Sequence, residues 1–467
     1  MSRHVLWNVP ALMFMVAAVN IASVSAQTPS LTAAQMRDDL SFLRDTWAPL
    51  ERSFSIEQRR TFDDIIAETN AKADKLTPAE FGFAISRALA VSRNGHTEAS
   101  FGAFCHFLPI RLWWFADGLY IVRTHPQFSD LLGARVEGIG QMTPEQALAR
   151  AAPFISGTDD FIKVKSSTDL TCLELLHQLG AMPSIDRVKL KVRLSEGTQR
   201  VVSLGPQPSN DPDPSSELFS QLIPSDPDLP GRWPQVLDKA AKRPLIYQRP
   251  TDLSYEWLGT DPGILYIRSN RIFGTDHNRY ELMEQLIRLL QDEIAPRRPR
   301  FVIVDLRLNL GGDFFNTITF AQALPRLVPR DGRVFVLVGP STFSAALVTA
   351  AMLKEYGGDQ VTLAGEPMGD HSAFWSEGRS TQLPNSGIFV TPAKWMWDWS
   401  EGCQDPARCY WADIVFGTKN VSLEPQLKIA TTFADYFRGD DAVLEAVLQQ
   451  TRSSTSDGVE ERPLRAP

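Results

Sequence analysis

Phe-Val-Ile-Val-Asp-Leu-Arg-Leu-Asn-Leu-Gly-Gly, residues 301–312, is the stretch of sequence that decides the fold. Its continuous apolar start predicts a buried strand, and this strand opens into the glycine pair Gly311–Gly312. Because glycine has no side chain to block an approaching group, such a pair can offer its backbone N–H groups at close range. The stretch therefore predicts a buried strand followed by a turn that suits a developing negative charge.

A second apolar run, Val334 to Val338, leads into Gly-Pro-Ser-Thr-Phe-Ser-Ala-Ala, residues 339–346. This pattern predicts a strand that delivers Ser344 to the start of a helix, where anionic species are favoured. A hydroxyl nucleophile there, with backbone donors from Gly311–Gly312 and Ala345, supplies the parts of an acyl-transfer site. Each feature alone is more often an ordinary turn or a helix N-cap. Their joint occurrence in this order favours the catalytic interpretation.

Both stretches resemble motifs of one peptidase family. Asp305-Leu306-Arg307-x-Asn309-x-Gly311-Gly312 matches, at every fixed position, the Asp-Leu-Arg-x-Asn-x-Gly-Gly signature of the C-terminal-processing (tail-specific) and tricorn-core serine peptidases. Thr342-Phe343-Ser344-Ala345 resembles the Thr-Ala-Ser-Ala nucleophile segment of that family, with Phe343 in place of the first alanine. Weaker echoes are Gly365-Glu366-Pro367 and the stretch 383–387. The resemblance extends from about residue 250 to 450.

The resemblance implies an α/β fold class with a crotonase-like spiral αβ core, an N-terminal helical domain and a PDZ-like β domain. It implies a serine endopeptidase that hydrolyses a peptide or protein substrate through a Ser344 acyl-enzyme, and the N-terminal segment discussed below predicts that this endopeptidase is exported. The oxyanion hole would be formed by backbone groups of Gly311, Gly312 and Ala345. No cofactor and no metal ion are implied.

The general base is the open question of the site. Bacterial C-terminal-processing members use a lysine shortly after Gly-Glu-Pro, but residues 365–371 contain none and Lys394 is too far along the chain. His96, in Asn-Gly-His-Thr, resembles the histidine element that tricorn-like members present from a separate N-terminal domain. His371 stands where an ungapped match places the lysine. Imidazole suits the role because its ordinary pKa lies near neutrality. Three possibilities remain: His96, His371 or an inactive site.

Two further groups of residues have structural interpretations. Asp305 and Arg307 alternate with buried residues at a strand end, so we expect them to fix the glycine turn through hydrogen bonds. The aromatic residues of 374–375 and 395–399 form either core or the lining of an apolar substrate cleft.

The chain is predicted to contain six segments. The helical periodicity of the N-terminal region changes to strand-like alternation near residue 108, and a Pro/Asp/Ser-rich stretch with an extended conformation outside any core follows the β domain. The segments are a signal peptide (1–26), an N-terminal helical domain (27–104), a PDZ-like domain (105–204), a Pro/Asp/Ser-rich linker (205–249), the peptidase core (250–452) and a flexible tail (453–467).

The N-terminus predicts export. Arg3 and His4 precede the largely apolar run Val5 to Val24, and Val24-Ser25-Ala26 supplies small residues at a cleavage position before Gln27. Polar residues and a proline interrupt the apolar run, which argues against a stable membrane span. We therefore expect a mature protein that begins at Gln27 and is periplasmic or secreted.

Export affects the interpretation of the four cysteines, because an oxidising compartment permits disulfides. Cys403 and Cys409 enclose a short loop, so local pairing is the simplest connectivity, and it leaves Cys105 with Cys172. The alternative is four free buried thiols.

The remaining properties narrow the class of protein. A net charge of -8 argues against a general nucleic-acid binder, and 43% hydrophobic residues are ample for globular cores.

Two other functions compete with the peptidase: a catalytically inactive, peptide-binding relative and an acyl-CoA enzyme with a similar core fold. The sequence does not determine the substrate or the oligomeric state.

Overall fold

The computed structural model describes residues 31–208, 219–225, 230–240, 242–248, 252–259, 263–416 and 421–456. The predicted signal peptide, the predicted mature start at Gln27 and residues 457–467 of the predicted tail lie outside these ranges.

The N-terminal region is helical, as predicted. Its helices are α1 (Ala33–Phe42), which continues through a π-helical turn (Leu43–Trp47), α2 (Ile56–Lys72) and α3 (Pro78–Ala90). Each begins at a Ser or Thr whose side chain accepts a hydrogen bond from the third helical amide, and the Gln or Glu at that position bonds back. Apolar faces of the helices bury side chains such as Phe62, Phe81 and Leu89. The helices therefore form a packed unit that leads directly to His96.

A short strand, β1 (Glu98–Ala99), follows and pairs antiparallel with a strand near residue 390. The next region is an antiparallel sheet in the order β2-β3-β4-β5-β6, with helices between β4 and β5. The strands are β2 (Ile110–Phe115), β3 (Gly118–Thr124), β4 (Arg135–Ile139), β5 (Val188–Arg193) and β6 (Gln199–Leu204), and the helices are α4 (Pro144–Ala151), α5 (Asp159–Asp169) and α6 (Leu173–Gln178). The predicted β domain is thus present, and its PDZ-like character stays a prediction.

The segment 205–249 differs from the extended linker that its Pro/Asp/Ser content predicts. In the described ranges it forms short 3-10 turns at Phe219–Leu222, Val236–Lys239 and Leu245–Tyr247. Trp233 and Leu237 are fully buried and pack in a cluster with Val122 of β3. The expectation of a segment outside any core is therefore wrong for these residues, because the apolar side chains between its polar stretches find partners in the β domain.

The core alternates strands with helices, and its main sheet has the order β16-β11-β10-β9-β8-β7. All neighbouring pairs in it are parallel except β7 with β8. The strands of the main sheet are β7 (Leu253–Leu258), β8 (Ile264–Ser269), β9 (Phe301–Asp305), β10 (Arg333–Val338), β11 (Val361–Gly365) and β16 (Leu427–Lys428). The predicted α/β fold class is confirmed, since crossover helices connect the parallel strands as the alternation requires.

The helices of the core cover the sheet, and short strands form its periphery. The helices are α7 (Glu281–Arg288), which continues through a π-helical turn (Leu289–Ile294) into α8 (Ala295–Arg297), then α9 (Ile318–Leu327), α10 (Ala345–Gly357), α11 (Trp411–Phe416), α12 (Phe433–Arg438) and α13 (Ala442–Ser456). The short strands are β12 (Ala373–Ser376), β13 (Thr381–Gln382), β14 (Phe389–Thr391) and β15 (Trp395–Asp398). Pairing of β14 with β1 connects the N-terminal region to the core.

Both predicted disulfides are present. Cys105 is bonded to Cys172 and Cys403 to Cys409, so the alternative of four free thiols is wrong. No helix in the described ranges has the length and apolar character needed to span a bilayer.

Candidate active site

Ser344 lies where the sequence predicts it, between β10 and the first residue of α10. Its backbone has φ 53° and ψ −125°, a left-handed conformation that a residue with a side chain adopts only when its surroundings impose it. Among the described residues the Ser344 hydroxyl has no capping hydrogen bond to the helix. The hydroxyl is therefore not used as an N-cap, which was the non-catalytic interpretation of this serine.

The turn before Ser344 is fixed by hydrogen bonds to the other signature segment. The Thr342 hydroxyl donates to the carbonyl of Leu306 (2.9 Å) and accepts from the Gly339 N–H (2.9 Å). The Phe343 N–H donates to the carbonyl of Asn309 (3.1 Å). Because β9 and β10 are adjacent parallel strands, the two loops that follow them leave the sheet at the same edge. These contacts hold the serine against the glycine turn.

Gly311 packs directly against the serine. A Cβ added to Gly311 would lie 2.7 Å from Ser344 Cβ and 2.8 Å from the Ala345 nitrogen, and its φ of 100° also disfavours a side chain. The Gly311 N–H donates to Asn309 Oδ1 at 2.8 Å. The amide of Gly311 is therefore occupied, and its role in the turn is to allow close approach.

The backbone N–H groups of Gly312 and Ala345, unlike that of Gly311, are not occupied by a hydrogen bond among the described residues. The Gly312 N–H has no hydrogen-bond partner among the described residues, while its neighbours Gly311 and Asp313 bond through their backbones to Ile272. As the first residue of α10, Ala345 has no intrahelical acceptor for its N–H. Of the three predicted oxyanion residues, Gly312 and Ala345 thus keep donors available, and Gly311 does not.

Asp305 and Arg307 form part of a buried charge cluster, in agreement with the structural role expected for them. The Arg307 guanidinium donates to both oxygens of Asp305 and, at 2.7 Å each, to both oxygens of Asp441 at the start of α13. Tyr266 on β8 donates its hydroxyl to Asp305 at 2.7 Å. Burial raises the pKa of Asp441, but the charge of Arg307 together with hydrogen bonds from its guanidinium and from backbone amides outweighs burial, and the pKa lies below the ordinary 3.8. The cluster fixes the end of β9, from which the glycine turn begins.

His96 is held on a tight turn after α3 by a buried polar network. Asn94 Nδ2 donates to the Thr97 hydroxyl at 3.0 Å, and that hydroxyl donates to Glu51 at 2.8 Å. Glu51 also accepts the Ala393 N–H at 2.8 Å, which connects the turn to the core. Burial raises the pKa of Glu51, although these hydrogen bonds oppose the rise. The residues on both sides of His96 are therefore fixed.

The imidazole of His96 lies beside the residue that precedes the serine. Its ring stacks on Phe343 with centroids 4.3 Å apart, and its Nδ1 is 3.5 Å from Asp370 Oδ2. The Asp370 side chain is 3% exposed. Neither ring nitrogen has a hydrogen-bond partner among the described residues, so His96 and Ser344 are not hydrogen-bonded. The structure thus brings His96 to the site and supplies it with a carboxylate neighbour.

A second carboxylate lies within electrostatic range of His96. Burial raises the pKa of Glu377, and a positive charge on His96 would lower it. By contrast, the side chain of His371 is exposed, and its backbone N–H donates to Asp370 Oδ1 at 2.9 Å. Of the two histidines considered as the base, His96 is the one packed against the serine turn.

The aromatic residues of 374–375 and 395–399 are mainly core. Phe374, Trp397 and Trp399 are 3%, 1% and 0% exposed. Trp375 and Trp395 are half-buried beneath the guanidinium groups of Arg408 and Arg52. These residues do not form the open apolar cleft that was one interpretation of the sequence.

A cavity of about 90 Å³ lies next to the loop that precedes the serine. Its lining includes Ser341, Glu366, Arg307 and, from α5, Asp160 and Lys163, but neither the serine nor the histidine of the site.

No protein-family model matches the chain, and no curated protein matches it either. The structure of mature CPAF complexed with lactacystin is similar at 13% identity and a TM-score of 0.56, over 92% of this chain and 100% of that one. This chain shares the fold of mature CPAF. Another structure of mature CPAF gives a TM-score of 0.55 at 13% identity, over 92% and 99% of the two chains. At this identity the similarity establishes the fold alone.

The tricorn protease, a member of the family that the motifs resemble, is also similar. Its TM-score is 0.39 at 13% identity, over 91% of this chain and 37% of that one.

Sequence reasoning missed three residues of the site: Asp370, Glu377 and Phe161, the last of which stacks on Phe343 at 4.2 Å. Asp370 adjoins the Gly-Glu-Pro segment and was detectable as the acidic residue beside His371. Phe161 gave no signal, because it lies in the β domain and meets the site only through the tertiary fold.

Proposed function

We propose that this protein is an exported serine endopeptidase that cleaves protein or peptide substrates through an acyl-enzyme on Ser344. The observation that carries the proposal is the state of this serine. Its hydroxyl does not cap the helix, and the residue occupies a left-handed conformation. It is packed against a glycine turn in which the Gly312 N–H has no partner among the described residues. Strained nucleophiles on strand-to-helix turns are typical of acyl-transfer enzymes.

The chemistry assigns a role to each group. The Ser344 oxygen attacks the scissile carbonyl carbon while His96 accepts the hydroxyl proton, and the carbonyl oxygen becomes an oxyanion. The N–H groups of Gly312 and Ala345 stabilise that oxyanion. His96 then returns the proton to the leaving amine, and water releases the acyl group by the same steps. Asp370, facing Nδ1, stabilises the imidazolium that forms in between.

His96 would have to move its free edge toward Ser344 when substrate binds. Catalytic hydrogen bonds are often long in an empty site and tighten in the complex, so their absence does not argue against the pair.

The test is covalent labelling of the mature protein with a fluorophosphonate probe. We expect labelling of the wild type and none in Ser344→Ala. His96→Ala should lower the labelling rate by about 10²-fold or more, since it removes the general base, while His371→Ala keeps most of it.

Two other labelling results would contradict this assignment of roles. Loss of labelling in His371→Ala alone would assign the base to His371. A wild type that is folded but unlabelled would contradict the proposal and leave an inactive relative as the explanation.

A further inference from the structure

The imidazole of His96 is part of a continuous stack of aromatic rings. Phe161 stacks on Phe343 with centroids 4.2 Å apart and planes at 13°, and Phe343 stacks on His96 at 4.3 Å and 24°. Phe374 also stacks on His96, with centroids 5.5 Å apart and planes at 16°. The base proposed above is therefore packed against two nearly parallel rings.

Glycines open the space in which the stack forms. A Cβ on Gly95, directly before His96, would lie 2.6 Å from Phe343 Cε2. A Cβ on Gly157 or on Gly369 would lie 3.0 Å from the Phe161 ring. Since these positions come from three separate parts of the chain, the stack is a built feature of the fold and not a chance contact of two side chains.

No hydrogen bond from the described residues orients the imidazole. Both ring nitrogens are buried and have no hydrogen-bond partner among the described residues, and Asp370 at 3.5 Å is only an electrostatic neighbour. A functional histidine is usually oriented by a hydrogen bond from its second nitrogen to a carboxylate or carbonyl. In His96 the stacked rings of Phe343 and Phe374 are the contacts that define the plane of the imidazole, and both ring nitrogens stay unbonded.

We propose that Phe343 and Phe374 are positioning residues that clamp the His96 imidazole in the plane from which its free edge reaches Ser344. The inference rests on the proposed function. Because Phe343 is bonded to Ser344 in the chain, the same turn that strains the nucleophile also carries one wall of the clamp. This accounts for a bulky aromatic residue at a position where the related motif has alanine.

The first test uses free imidazole as the probe. In His96→Ala the slot against the two rings is vacated, so added imidazole should enter it and restore fluorophosphonate labelling in a saturable way. In His96→Ala/Phe343→Leu the slot keeps an apolar wall but loses one flat face, and the rescued rate should fall about 10-fold or more. The control is His96→Ala/Phe81→Leu, which alters a buried phenylalanine outside the stack and should keep the rescue.

The second test does not depend on activity. A ring stacked on two other rings has its C–H proton resonances shifted upfield, and comparison with His96→Ala identifies those of His96 in the proton NMR spectrum. Phe343→Leu and, separately, Phe374→Leu should each move these resonances downfield, while Phe81→Leu leaves them in place. In a separate labelling experiment, Phe343→Leu and Phe374→Leu should each lower the limiting rate with little change in the probe concentration at half-saturation.

The outcomes separate the two proposals. Equal imidazole rescue in both double variants, or unaltered His96 resonances and labelling in both clamp variants, would overturn the clamp and leave the peptidase proposal standing. An upfield His96 signal in a wild type that is never labelled would overturn the peptidase proposal, and with it the catalytic role of the stack.

Discussion

At the scale of single residues, the conformation of Ser344 connects activity with stability. A non-glycine residue held at φ 53° costs about 1–3 kcal/mol, which the surrounding contacts must offset. Glycine adopts such a conformation freely, although its greater freedom in the unfolded chain offsets part of the gain.

Ser344→Gly should therefore abolish labelling and raise the free energy of unfolding by about 1 kcal/mol. Ser344→Ala is the matched control: it also lacks the hydroxyl, but it keeps the strained backbone and should not be stabilised. Urea denaturation of the three proteins checks the expectation. Equal stability of the glycine and alanine variants would show that the turn stores no strain.

Gly312 tests the placement of the oxyanion donors. Its φ is 142°, and an added Cβ would lie 2.1 Å from the carbonyl oxygen of Ile272. Gly312→Ala should displace the turn and lower the labelling rate by about 10²-fold, the usual effect of losing one oxyanion donor. Gly197 is a suitable control, because it also has a positive φ, 92°, but nothing within 4 Å of an added Cβ. Gly197→Ala should lose some stability and keep its labelling rate, and a Gly312→Ala protein that labels normally would remove Gly312 from the site.

At the scale of secondary-structure elements, the charge cluster of Arg307 joins the end of β9 to the start of α13. Arg307 forms bidentate contacts with both Asp305 and Asp441, and all three side chains are at most 8% exposed. Replacing one member of such a buried group leaves uncompensated charge, which typically costs about 3–5 kcal/mol.

Arg307→Met should therefore lose about 3–5 kcal/mol of unfolding free energy in urea denaturation at neutral pH. Arg44→Met, which breaks an exposed pair with Asp45, is the control and should change stability little. A loss in Arg307→Met no larger than that of the control would show that the cluster does not hold the two elements together.

The same cluster predicts a pH dependence. The pKa of Asp441 is lower in the folded protein than the ordinary 3.8, so the folded state binds this proton less tightly than the unfolded state. The stabilisation is fully present above the ordinary pKa and is lost as the pH falls through the folded value. Asp441→Asn should thus flatten the decline of the melting temperature below about pH 4. If the melting temperature of this variant declined below about pH 4 as steeply as that of the wild type, Asp441 would not be a source of the pH dependence.

What the sequence could predict also differs between elements. The strands β9 and β10 are continuous apolar runs, and the residues that follow them form local motifs, so their places and the position of Ser344 follow from short-range pattern. The burial of Trp233 did not follow, because the Pro/Asp/Ser composition around it dominates the local pattern. The surroundings of His96 did not follow either. Phe161, Phe343 and Asp370 reach it from segments far apart in sequence, and only the tertiary fold brings them together.

At the scale of the whole molecule, the site is assembled from three parts of the chain. The N-terminal helices carry His96, the β domain carries Phe161 on α5, and the core carries Ser344 and Phe343. Two features connect these parts. The pairing of β1 with β14 joins the N-terminal region to the core, and the Cys105–Cys172 disulfide joins the chain after β1 to the chain after α5. The arrangement of the site thus depends on contacts between the parts as much as on the core itself.

The two disulfides should contribute unequally to the stability of the whole protein. Cys105 and Cys172 are 67 residues apart, and Cys403 and Cys409 are 6 apart. Closing a loop removes conformational entropy from the unfolded chain by an amount that grows with the logarithm of the loop length, which gives about 4 kcal/mol for the long loop and about 2 kcal/mol for the short one.

Cys105→Ala/Cys172→Ala should accordingly lose more unfolding free energy than Cys403→Ala/Cys409→Ala, measured in urea without reductant. Reductant should then destabilise the first variant by only about 2 kcal/mol, because the Cys403–Cys409 disulfide is the one that it still contains. The long-loop variant should also label more slowly than the short-loop variant at a temperature where both are folded, since it frees the segments beside His96 and Phe161. Equal losses in the two variants would contradict the loop argument, and equal labelling would show that the pairing of backbone segments alone holds the site together.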